Sequence, residues 1–150
     1  MKLALNLALE NAEKRSGGPF GCVIVKGGEI IATGFNEVLT NNDPTAHAEI
    51  VAIRKACLKL KTYRLEGCEI YSSCEPCPMC MGAIYWSRPD KMYYAADRSD
   101  AASAGFEDKH IYNELVILPE KREIPGEQLM KEEGKAVFLR FNELELDINY

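Results

Sequence analysis

Two short stretches constrain this chain more than anything else in it: His47-Ala48-Glu49 and Cys74-Glu75-Pro76-Cys77-Pro78-Met79-Cys80. The first sets an imidazole and a carboxylate two residues apart. The second sets two thiols three residues apart, just after a proline. One His and two Cys make three ligands of the kind zinc takes, and a zinc site that does chemistry keeps three protein ligands and an open fourth position. Glu49 is left over as the proton carrier such a site needs. Whatever the fold, it must bring these two stretches together.

The chain has 150 residues, enough for one domain, residues 1–150, with a real hydrophobic core. Its net charge of −5 argues against a partner held mainly through phosphates, which needs clustered Lys and Arg. Six cysteines raise the question of disulfides. The tight 74, 77, 80 spacing with His-x-Glu upstream reads instead as a metal site in a reducing, cytoplasmic setting. Cys22, Cys57 and Cys68 sit in apolar runs and read as buried thiols used as small hydrophobes. The run Leu3 to Leu9 is broken by Asn6 and followed by Glu10, so it reads as an amphipathic helix rather than a leader. No segment is long and apolar enough to span a membrane.

Apolar positions 3, 7, 8 and 12 predict a helix over 2–15, stopped by Ser16-Gly17-Gly18-Pro19. Residues 20–26 and 29–35 read as strands joined by the two-residue turn Gly27-Gly28. Residues 36–44 read as a loop, with Asp43 or Thr45 capping a helix that runs to about Leu60. A strand over 68–73 leads into a helix from Pro76 to about Ser87, which sets Cys77 and Cys80 on one face at i and i+3. Another strand follows at 91–96, then a small-residue stretch at 101–105, a helix near 109–117, a proline-bearing connector and a last helix near 134–145. The alternation implies an α/β layer structure with right-handed crossovers.

Zinc on His47, Cys77 and Cys80 would keep a water as fourth ligand and lower its pKa towards roughly 7. Glu49 would take that water's proton and deliver it to a ring nitrogen and a departing amine, completing a hydrolytic deamination. Cys74 leaves a second possibility, a closed Cys₃His structural site in a non-catalytic scaffold. His47 also has a plainer reading as a satisfied core histidine. The other histidine, His110, reads as an ordinary helix residue.

On HAE at 47–49 and PCPMC at 76–80, the chain resembles the cytidine-deaminase-like superfamily. Through GGPFGCVIV (17–25), NDPTAHAE (42–49), SCEPCPMCMGAIYWSRP (73–89) and SDAASAGFED (99–108), it is similar to the bacterial guanine deaminase branch. The match spans most of residues 17–112. The resemblance implies a three-layer α/β/α fold with a central five-stranded mixed sheet. It implies one Zn²⁺ per chain on His47, Cys77 and Cys80, with Glu49 as acid and base. It implies Asn36, Ala48, Asp108 and Tyr150 as substrate-binding residues, with Phe20 as an aromatic wall. The substrate would be a small purine base, guanine, hydrolysed to xanthine and ammonia. The assembly would be a homodimer with C-terminal segments, about 119–150, exchanged between subunits.

The residues alone give weaker support for guanine. Its Watson–Crick edge offers neighbouring N–H donors, and an ionised carboxylate such as Asp108 is an acceptor-only fork that suits them. Each of these residues also has a plainer role: Asp108 as a helix cap, Asn36 as a turn residue, Phe20 as core and Tyr150 as a loose terminus. Guanosine or an aminated triazine would suit the same chemistry. A tRNA adenosine deaminase carries a very similar zinc motif, but the acidic tail Asn142-Glu143-Leu144-Glu145-Leu146-Asp147 would repel RNA, and no nucleic-acid partner is expected.

Overall fold

The computed structural model describes residues 1–146 and 148. Helix α1 (Lys2–Glu13) leads into the hairpin of β1 (Gly21–Lys26) and β2 (Glu29–Phe35). Gly27 and Gly28 both have positive φ, +57° and +84°, as a twisted two-residue turn requires. A register shift between Ile24 and Val25 leaves Ile31 unmatched, a bulge in β2. A short turn of helix, α2 (Val38–Asn41), lies in the stretch expected to be loop. Next come α3 (Ala48–Leu60), β3 (Cys68–Cys74), α4 (Pro78–Ser87), β4 (Lys91–Ala96) and α5 (Arg98–Ser103). The rest is α6 (Lys109–Leu115), a single 3₁₀ turn at Pro119–Lys121, and α7 (Lys131–Glu143).

The strands form one mixed sheet in the order β2-β1-β3-β4, antiparallel across β2-β1-β3 and parallel across β3-β4. The expected fifth strand is absent among the described residues, and β4 is an edge. A β-like run after β4, Leu115-Val116-Ile117-Leu118, is short and ends at Pro119. Proline has no N–H to give a ladder, so the run closes α6 instead of pairing.

Two glycines set the layers. A Cβ on Gly21 would collide with the Ala4 carbonyl of α1, and one on Gly34 with the Ala48 carbonyl of α3. The helices therefore lie close on opposite faces of the hairpin. On the α3 side, Cys22, Ile24, Ala32 and Ile70 of the sheet pack with Ala48, Ala52, Ile53 and Ala56, and this is the main core. The small alanines let α3 approach closely, which seats its first turn over β3.

The chain divides into two compact units, Met1–Asp108 and the residues from Lys109 onward. The first holds the sheet and every zinc-ligand candidate. In the second, α7 presents exposed Val137, Phe138 and Leu139. No helix among the described residues is long and apolar enough to cross a membrane.

Candidate metal and catalytic site

His47 and Cys77 each occupy the N-cap position of a helix, of α3 and α4 respectively. Their carbonyls accept the first helical bonds, from Val51 and Met81, both at 2.9 Å. Neither side chain caps its own helix, so both are free to turn outward to a shared point. Cys80 lies one turn into α4 and is fully buried. The ligand atoms of His47, Cys77 and Cys80 all lie within 4.8 Å of one another. The His47 Nδ1 stands 3.6 Å from each sulfur.

Two helix N-termini aim partial positive charge at this point, which favours thiolates. Cys77 is held down at about 4, first by the hydrogen bond from the Cys80 thiol and also by His47. Cys80 is pushed up, because it is the donor of that bond and is buried. The bond to Cys77 also pushes the His47 imidazole up, against the effect of burial.

Glu49 sits in the first turn of α3 and is 5 % exposed. Burial pushes its carboxyl up, while its own backbone N–H and the Ser72 hydroxyl pull it back. Ser72 donates to Oε1 at 2.9 Å, and the Cys80 thiol donates to Oε2 at 3.5 Å. One carboxylate oxygen is therefore tied to the sheet, and the other faces the ligand group.

Of the sequence-expected binding residues, Ala48 and Asp108 lie by this point. Ala48, between His47 and Glu49, is fully buried against the sheet. Asp108 is close enough for the negative Cys77 to add to the rise that burial gives its carboxyl, and for its own charge to act on His47. Asn36 is buried; its Oδ1 accepts from the Val38 N–H at 3.3 Å, and the next amide, of Glu37, donates to the Ala46 carbonyl beside His47. Phe20 is half-buried and meets Phe106 edge-on, with ring centroids 5.0 Å apart. Tyr150 lies outside the described residues.

Sequence reading missed three contributors. Ser72 reaches Glu49 from a neighbouring strand. Ser73 accepts the Gly21 N–H at 2.9 Å and fixes the start of β1. The buried Asn11 donates to both the Gly18 and Asn36 carbonyls at 2.9 Å, joining α1 to the loops that carry Phe20 and Asn36. Asn11 and Ser72 lie outside the recognised segments, and Ser73 only opens one of them. Strand alternation places Ser72 on the α3 side and Ser73 on the other, but not against a particular partner.

Residues 1–96 match the model of the cytidine and deoxycytidylate deaminase zinc-binding region. The chain belongs to this deaminase family. It is 55 % identical over 138 residues to a guanine deaminase of Bacillus subtilis (strain 168), covering 92 % of this chain and 88 % of the relative. The X-ray structure of guanine deaminase from Bacillus subtilis superposes with a TM-score of 0.94 at 51 % identity, over 99 % of this chain and 94 % of that one. A tRNA-specific adenosine deaminase of Aquifex aeolicus (strain VF5) is 48 % identical over 96 residues, covering 64 % of this chain and 63 % of the relative.

The family's metal is zinc, and the donor geometry fits it. Tetrahedral zinc with ordinary Zn–N and Zn–S bonds places the nitrogen and sulfur about 3.6 Å apart, the separation found here twice. Cys74 stands apart from the ligand group: its thiol donates to the Asp97 carbonyl at 3.5 Å, and burial pushes it up to about 11. The group thus offers three protein donors with the buried Glu49 carboxylate beside them, which fits the open arrangement rather than the closed one.

Proposed function

We propose that the chain hydrolyses guanine to xanthine and ammonia, using one zinc ion per chain. The observation that carries this reading is coverage. Likeness to guanine deaminase runs over nearly the whole chain, whereas likeness to the Aquifex tRNA deaminase extends over 96 residues. The net charge of −5 also disfavours an RNA substrate.

His47, Cys77 and Cys80 hold the metal. When bound, zinc supplies a Lewis acid that makes water nucleophilic near neutral pH. Glu49 takes a proton from the attacking water at Oε2. It passes that proton to the ring nitrogen, then takes the remaining hydroxyl proton from the ring carbon and gives it to the amine, so that the C–N bond breaks, ammonia leaves and the carbonyl forms. Burial supports this role, since desolvation raises the proton affinity of the carboxyl above that of a carboxylate in water. Asp108 accepts from the N–H donors of the base, Asn36 and Ala48 line the pocket, and Phe20 stacks on the ring as its wall.

The chain works as one domain in a cytoplasmic homodimer with C-terminal segments exchanged. The exposed apolar side chains of α7 and the six free cysteines support that reading. Sedimentation should give a dimer.

The deciding experiment is ammonia release by the zinc-loaded protein with guanine, guanosine, adenine, cytosine and a tRNA anticodon stem-loop. Turnover of guanine alone is expected. Activity on the stem-loop without guanine turnover would overturn the reading.

A further inference from the structure

We propose that Ser72 is a positioning residue for the reaction. Its hydroxyl fixes the plane of the Glu49 carboxylate so that Oε2 faces the nucleophile. The inference rests on the guanine deaminase reading given above.

Ser72 lies in β3, with a strand paired on each side: its partners are Cys22 of β1 and Tyr94 of β4. It is 2 % exposed, so its hydroxyl must find a partner inside the protein. The partner is Oε1 of Glu49, at 2.9 Å. The two residues come from different layers, the sheet and α3, and are 23 positions apart in the chain. A carboxylate turns readily about its last bond. Without Ser72 it would keep only its own backbone N–H, since the long contact from the Cys80 thiol at 3.5 Å is lost when Cys80 binds a metal as thiolate. The strand hydroxyl supplies the second point that defines the plane. It uses one oxygen and leaves the other free for proton transfer. Proton transfer demands such alignment, because both the acceptor lone pair and the reacting atoms must sit within hydrogen-bond reach.

The test uses full-length, zinc-loaded protein carrying Ser72→Ala, Ser72→Val or Ser72→Thr. Steady-state kinetics with guanine, zinc content and a crystal structure of the alanine variant are measured together. Ala and Val are expected to lower kcat roughly ten- to thirtyfold, with KM changed by less than about twofold and zinc content intact. Thr restores the hydroxyl and should recover kcat to within about threefold of wild type. In the alanine crystal the Glu49 carboxylate should be turned from its wild-type plane. The inference fails if Ala leaves kcat unchanged, or raises KM alone. It also fails if Ala and Val do not fold or load zinc while Thr does, since the hydroxyl is then structural. If wild type itself does not turn over guanine, the functional reading falls. The Glu49 orientation then decides Ser72's role alone: a turned carboxylate supports it and an unturned one overturns it.

Discussion

The role proposed for Glu49 joins two requirements that conflict in water: the carboxyl must be buried enough to hold a proton, yet stay within reach of the metal ligands. The first turn of α3 meets both, because it lies under the sheet while its end faces α4. Glu49→Gln keeps the shape and the Ser72 bond but cannot carry a proton. It should lower kcat by about a thousandfold or more with zinc retained, as read by ammonia release and metal content. Cys74→Ser should keep one zinc per chain, because the Cys74 thiol is engaged with the Asp97 carbonyl. Loss of zinc from that variant would restore the closed-site alternative.

Elements place these residues through close approaches that a single methyl group disturbs. Gly34→Ala would push its Cβ against the Ala48 carbonyl, beside both His47 and Glu49. Overpacking of this kind costs about 1–3 kcal/mol. The variant should therefore show both a lower denaturation midpoint and weaker zinc binding. Asn11→Ala would strip the Gly18 and Asn36 carbonyls of a donor. It should cost about 2 kcal/mol in denaturant unfolding. The hairpin, α3, β3, α4 and β4 were all legible, because Gly27-Gly28, the apolar periodicities and the zinc motifs mark them locally. The helix starts were less so. Asp43 does not cap α3; its Oδ1 accepts from the Thr45 N–H at 2.8 Å, and His47 takes the cap position instead. Likewise Pro76 precedes α4, whose first helical residue is Pro78. Ser72 and Asn11 act through partners distant in the chain, and local pattern holds no record of such pairs. The absent fifth strand was an expectation drawn from resemblance, and Pro119 opposes it locally.

For the molecule as a whole, the metal joins two helices that the chain reaches only through β3. Because zinc binds the folded ligand set, binding adds to folding stability. Chelation should lower the unfolding temperature by about 5 °C or more, and one equivalent of zinc should restore it. The same arrangement sets stability and activity against each other. His47 and Cys77 stand where Ser, Thr, Asp or Asn would best close a helix, and neither closes its own. Cys77→Ser should therefore make the metal-free chain more stable by about 1 kcal/mol than metal-free wild type, while abolishing turnover. A heat-resistance screen run without zinc would thus enrich inactive sequences. Left to drift, such a protein would become a better-folded one with no chemistry, and only continued selection for turnover keeps these two caps open.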